Sequence, residues 1–201
     1  ISLGLVGSEM CIRDRGWGVA GGAIDPQRDL LGDFRRAGFA YAANRAALDQ
    51  LFAAGVPPRL LGLFHLGNMN VAKDKIDGRR GQSTVVSDYG FPDQPMLDEM
   101  TQRALQVLEK QPNGFLLMVE GASIDKQSHN MDTERWLLDV LELDRAIQVA
   151  REFQAKHPDT LVIVTADHEC GGVAVIGGST QTQAMHQNCL LYTSPSPRDR
   201  G

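Results

Sequence analysis

Apolar and polar positions along this 201-residue chain fall into alternating helix-like and strand-like stretches. Asp29 to Arg36 and Ala42 to Ala53 carry helical patterns around a short Phe39 to Tyr41 segment. Gly55-Val56-Pro57-Pro58 then breaks the chain before an apolar run from Leu60 to Phe64. His65 to Gln94 is polar, glycine-containing and irregular, which predicts a long surface excursion. Pro95 opens a helix in which Leu97, Met100, Ala104, Val107 and Leu108 recur at helical spacing, and the apolar run Gly114 to Val119 predicts a buried strand. From Thr133 to Lys156, the residues Trp136, Val140, Leu143, Ile147 and Ala150 are spaced to share one helix face. Asp132 or Thr133 suits the cap of that helix and Pro158 its stop. Leu161 to Thr165 predicts a last strand. Strand, helix, strand without hairpin signals predicts an α/β fold, with a parallel-rich sheet covered by helices on both faces.

The two ends stand outside this pattern. Leu5 to Arg15 and Cys189 to Arg198 can be encoded by one oligonucleotide read in opposite orientations, and that DNA resembles a sequencing-library adapter. Residues 1–15 and 189–201 are therefore expected to be adapter-like tails, not native, with Leu5 to Arg15 and Cys189 to Arg198 exposed and without consistent partners. Residues 16–188 remain as a piece of one domain, long enough to bury a core.

Composition narrows the picture little. A net charge of -5 gives no support for nucleic-acid binding. Two of the three cysteines, Cys11 and Cys189, fall in the tails, so Cys170 stands alone and no disulfide framework can be argued. No apolar run is long enough to span a bilayer.

Candidate chemistry lies where the two central strand patterns end. V-E-G-A-S-I-D-K-Q-S-H runs from Val119 to His129, and T-A-D-H-E from Thr165 to Glu169. In parallel α/β sheets, ligand sites lie beyond the carboxyl ends of the strands. Glu120, Asp125, His129, Asp167 and His168 would thus arrive at one edge, and this mixture of carboxylates and imidazoles points to a metal centre. Each has a plainer reading beside it. Asp125 and His129 are four apart, which suits both a shared ion and an ordinary pair on a helix surface. Asp167-His168 suits either a ligand pair or a capped loop with a satisfied histidine, with Gly171-Gly172 supplying a flexible exit.

Other reactive residue types have simpler roles. His157 fits the favourable end of a helix dipole. His65 and His186 lack an acidic partner at ligand spacing and are expected in loops or at the surface. Cys170 reads as a small apolar group beside the site. Ser123 and Ser128 read as turn and cap residues, having no base at an interpretable offset.

At these residues the chain resembles the alkaline phosphatases of bacterial type, in which Lys follows the metal-binding Asp. Leu60 to Met69 and the helix from Gln94 to Leu105 resemble the same family in the same order, so the likeness covers most of Gly16 to Gly178. It implies a phosphomonoesterase with two zinc ions and one magnesium. By position, Glu120 is similar to the magnesium ligand, Asp125 and His129 to ligands of the first zinc, and Asp167 and His168 to ligands of the second. Lys126 is similar to the residue that contacts the substrate phosphate through water. The resemblance also implies a serine nucleophile, a bridging Asp and further ligands outside this chain, and an alkaline phosphatase-like sandwich that is incomplete here. The fragment alone is therefore expected to be inactive. A secreted or periplasmic parent, possibly a homodimer, is a further implication. A phosphodiesterase or sulfatase of the same superfamily, or a non-catalytic metal-binding fragment, stays open as an alternative.

Overall fold

The computed structural model describes residues 2–7, 28–65, 67–81 and 92–170. In chain order the elements are β1 (Ser2–Gly7), α1 (Leu30–Arg36), β2 (Ala40–Ala42), α2 (Arg45–Ala54), β3 (Leu60–Gly62), α3 (Ala72–Arg79), α4 (Leu97–Leu108), β4 (Phe115–Glu120), α5 (Ser123–His129) and α6 (Thr133–Lys156). Three helices start on side-chain caps. Asp29 accepts from Gly32 N, Asn44 from Ala47 N and Asp132 from Arg135 N, each satisfying a backbone donor that the first turn leaves over.

Both described strand pairs are parallel: β1 with β4, from Ser2 opposite Phe115 to Gly7 opposite Glu120, and β2 with β3. Helices supply the crossovers that parallel neighbours require, so the fold class is α/β. The core gathers Ala42, Leu48, Phe64, Met69, Leu97, Met100 and Ala146, with Leu117, Val119 and Leu143 packed against it. At β4 the cover lies on one side. Phe115, Leu117 and Val119 are half-buried, whereas Leu116 and Met118 are 59% and 56% exposed.

Four features differ from the sequence reading, each for a physical reason. Leu161 to Thr165 forms no strand among the described residues. Leu161, Ile163 and Val164 are exposed, and β-propensity makes no strand without a hydrogen-bonding neighbour. The excursion from His65 to Gln94 contains α3, which has no apolar stripe and is fixed by polar contacts. His65 is buried there rather than at the surface, and its Nδ1 accepts from Gly67 N. Part of the first tail, Ser2–Gly7, is paired as β1, because backbone pairing to an open edge asks little of the sequence. Finally, the centre of the buried face of α6 is not the apolar stripe but Asp139, Glu142 and Ala146; Trp136, Val140, Leu143, Ile147 and Ala150 are half-buried around it. Residues 8–27 and the whole second tail lie outside the described residues, as do Gly171, Gly172 and His186.

Candidate metal centre

The chain leaves β4 at Glu120, turns through Gly121 and Ala122, and enters α5. One helical turn separates Asp125 from His129, so the two share a face, and His129 Nε2 lies 3.4 Å from Asp125 Oδ1. Ser128 is spoken for, since its Oγ donates to Ile124 O at 2.7 Å. Beyond Asn130, Met131 adopts the left-handed conformation with φ 54°, while Met131 N bonds Ser128 O and Asp132 N bonds Gln127 O. That is a Schellman ending, and it swings the chain directly into α6.

After α6 the chain returns to α5. His168 Nε2 stands 3.6 Å from Asp125 Oδ1 and 3.4 Å from Asp167 Oδ2, and His168 N donates to Asp167 Oδ1 at 3.0 Å. Asp125 Oδ1 is withdrawn from solvent and accepts no hydrogen bond. A desolvated carboxylate oxygen between two imidazole nitrogens, hydrogen-bonded to neither, is a donor set open to divalent metal. The Asp125–His129 spacing agrees with one ion, since two donors bound at ~2.0–2.2 Å to one tetrahedral ion stand ~3.3–3.6 Å apart. The mixture of carboxylate oxygen and imidazole nitrogen fits zinc chemistry.

The structure thus brings together Asp125, His129, Asp167 and His168. Glu120, exposed at the end of β4, instead lines a small cavity with Lys75, Ser123, Asp139 and Glu142. Lys126 follows Asp125 on α5 with its Nζ withdrawn from solvent. His157 caps the end of α6, where it stacks on Phe153 with ring centroids 4.1 Å apart.

Cys170 joins the cluster, which the sequence reading did not anticipate. Its thiol donates to Asp125 O at 3.8 Å, and donor atoms of Asp125, His168 and Cys170 all lie within 4.8 Å of one another. Hydrogen bonding to Asp125, then desolvation, then the charges of Asp125 and Asp167 hold the thiol above its ordinary range. The signal was available as a Cys two residues after a ligand-type His.

A second acidic group, also missed in the sequence, lies beneath the site. Asp139 and Glu142 are 2% and 7% exposed, on a helix whose apolar pattern should exclude them. Each serves a helix start: Asp139 Oδ1 accepts from Ala72 N at 2.8 Å and Glu142 Oε1 from Leu97 N at 2.9 Å, the first residues of α3 and α4. Neither Val71 nor Met96 offers its helix a side-chain cap bond, so α6 adds a buried anion at each N-terminus, at α4 beside Glu99, whose carboxylate accepts from Met96 N. Buried Lys75 closes the group through an ion pair with Glu142 and a 3.5 Å contact to Pro95 O. Burial pushes the Asp139 carboxyl up to about 6, the Ala72 N–H opposing and the neighbouring Glu142 charge adding to the rise.

Residues 10–195 match the family model described as alkaline phosphatase, a span that reaches into both tails. An alkaline phosphatase of Escherichia fergusonii is 40% identical over 138 residues, covering 65% of this chain and 29% of that protein. Alkaline phosphatase 4 of Bacillus subtilis is 32% identical over 170 residues, covering 85% of this chain and 32% of its own length. The chain therefore spans about a third of the curated relatives it matches. Among solved structures, Thermus thermophilus alkaline phosphatase superposes with a TM-score of 0.63 at 23% identity, over 79% of this chain and 37% of that one. A TAB5 alkaline phosphatase mutant with Mg bound in the M3 site gives a TM-score of 0.64 at 20% identity, over 86% of this chain and 53% of that one. At these identities the likeness concerns the fold.

Proposed function

The chain belongs to the alkaline phosphatase family, and from that premise we propose that its parent protein hydrolyses phosphate monoesters at a centre of two zinc ions and one magnesium. In this reading Asp125 and His129 hold the first zinc, Asp167 and His168 the second, and Glu120 the magnesium. A pair of zinc ions, when bound, would stabilise the entering and leaving oxygens of an in-line displacement at phosphorus. The protein's part is to fix the donors: α5 sets Asp125 and His129 one turn apart, and the loop after α6 brings His168 to the same carboxylate oxygen. Lys126 is assigned to the substrate phosphate, reached through water. The single observation that carries the reading is Asp125 Oδ1, desolvated, without a hydrogen bond, and flanked by two imidazole nitrogens at 3.4 and 3.6 Å.

No described serine suits the nucleophile, since Ser123 and Ser128 are both buried and Ser128 is bonded to the backbone. We assign that role to a residue outside this chain, along with the remaining ligands, and expect the chain alone to be inactive. Secretion or a periplasmic address, and a homodimeric parent, complete the proposal. The test is to express the full-length parent gene and follow p-nitrophenyl phosphate hydrolysis at alkaline pH. Activity that chelation abolishes, zinc and magnesium restore, and Asp125→Ala or His168→Ala removes is the expected result. Robust turnover by this chain alone, lost on Ser123→Ala or Ser128→Ala, would overturn the nucleophile assignment.

A further inference from the structure

Asp139 has one oxygen that the fold does not use. Its Oδ1 accepts from Ala72 N at 2.8 Å, whereas its Oδ2 is withdrawn from solvent and accepts no hydrogen bond, in a residue only 2% exposed. A buried carboxylate oxygen without a donor costs free energy, so a donor from outside the chain is implied. Lys75 does not fill that place, being committed to Glu142 and Pro95 O. The cavity beside Asp139 measures about 10 Å³, roughly the space that one water needs, and Glu120, Lys75, Ser123 and Glu142 also line it. Glu120 is exposed at the end of β4 while Asp139 is buried, so the cavity joins a solvent-facing carboxylate to an enclosed one. When ionised, its three carboxylates against the single Lys75 ammonium leave two negative charges in excess, which one divalent ion offsets.

We propose that Asp139 is a positioning residue for a hydrated magnesium ion at Glu120, its Oδ2 accepting a hydrogen bond from a water that the ion carries into the cavity. This inference rests on the assignment of Glu120 to magnesium and extends that site to α6, which the assignment leaves out. The chemistry selects the ion. Magnesium takes oxygen donors, gives up its water reluctantly and keeps several waters when bound, so a carboxylate that reaches it through water suits it. Zinc draws on nitrogen and sulfur donors directly, and this cavity offers neither beyond the ammonium of Lys75. Carboxylates one step removed from a metal hold its bound groups in orientation. Asp139 can do so because its Oδ1 is tied to the first residue of α3, which fixes the direction of the carboxylate. No covalent bond of the protein is made or broken, and the proton stays on the water while Oδ2 accepts from it.

Manganese(II), a hard ion of the same charge that electron paramagnetic resonance detects, is the probe, added to the whole chain after zinc has filled the imidazole-containing centre. The expected result is saturable binding that Glu120→Gln removes. Asp139→Asn keeps an oxygen for Ala72 N but loses the charge, and is expected to weaken binding at least the roughly tenfold that an outer-shell partner is worth. Unchanged affinity in Asp139→Asn, with binding still dependent on Glu120, would sink the role of Asp139 and leave the magnesium assignment standing. No manganese binding, or binding indifferent to Glu120→Gln, would remove that assignment and the proposal with it. Amide NMR of the unmutated chain gives a readout that does not depend on a variant's folding. Manganese is expected to broaden the signal of Ala72, whose N–H is bonded to Asp139, together with that of Gly121, which follows Glu120. Broadening of Gly121 while Ala72 stays sharp would overturn the proposal.

Discussion

Two acidic groups lie a short way apart along the chain and are handled differently. On the buried face of α6, Asp139 and Glu142 are tied to protein by two helix-terminal N–H groups and the Lys75 ammonium, although Asp139 Oδ2 keeps no hydrogen bond. Around α5, Asp125 is more exposed, yet its Oδ1 has two imidazole nitrogens 3.4 and 3.6 Å away and no hydrogen bond. The contrast separates carboxylate oxygens that hold a fold from carboxylate oxygens held ready for something outside it. Burial alone would pick the wrong pair.

The largest expected effect lies on the buried side. Glu142→Ala strands Lys75 without its anion and leaves Leu97 N at the start of α4 without its acceptor, and is expected to lower the free energy of unfolding by about 3–5 kcal/mol. Asp125→Ala, in metal-free buffer, is expected to change it by less than about 0.5 kcal/mol. Urea unfolding of both variants compares them directly, and equal losses would erase the distinction.

The pH dependence comes next. Asp139 has its carboxyl pushed up to about 6 from an ordinary 3.8. A carboxyl raised in the folded state binds its proton more tightly there than in the unfolded chain, so its contribution is greatest below pH 3.8 and is lost as pH rises through about 6. The difference is ~3 kcal/mol over that window. Asp139→Asn is expected to remove that component of the slope. A variant whose unfolding free energy falls from pH 4 to pH 7 as steeply as the parent's would refute the assignment. Glu142, Lys75 and Asp74 act on the same carboxyl and are unchanged in this comparison.

Zinc tests the open side. At about 100 times its dissociation constant, zinc bound only by the folded chain raises stability by about 2.7 kcal/mol. Thermal or urea unfolding with zinc and with excess chelator measures this, and Asp125→Ala is expected to abolish the gain. A gain retained in Asp125→Ala but lost in Glu142→Gln would place the ion at the wrong group.

The smallest effect concerns the joint between the two regions. Met131 is 70% exposed and holds φ 54°, so Met131→Gly loses little packing and removes a left-handed backbone penalty of about 1 kcal/mol. A modest rise in melting temperature is expected, and a fall would mean that Met131 has a packing role its exposure conceals.

What was legible followed periodicity. The faces of α4 and the termini of α6 could be read because apolar spacing and cap residues act locally, as Asp132 and Leu97, Met100 and Val107 show. The alignment of Asp125 with His129 was legible for the same reason. α3 was not, because Ala72 and Lys75 are held by residues far along the chain, Asp139 and Glu142. Those two acids were hidden in turn by the apolar stripe around them, where a charge at three-residue spacing was the overlooked mark. Cys170 was set aside as a small apolar group despite standing two residues after His168, because its return to Asp125 is a contact between residues far apart in the chain. Leu161 to Thr165 failed in the other direction. Its residues carry strand propensity, but a strand is a relation between two chains of backbone, and no described neighbour provides the second.

The one-sided cover of β4 has a consequence for handling the molecule. Leu116 and Met118 leave greasy surface on β4, a strand that has taken up Ser2–Gly7 as its neighbour, and Leu161, Ile163 and Val164 are exposed as well. Surface of that kind promotes self-association, whether by added strands or by contact of apolar faces. Concentrated solutions of this chain should therefore drift toward oligomers and precipitate, and within a cell it would be a natural client for chaperones.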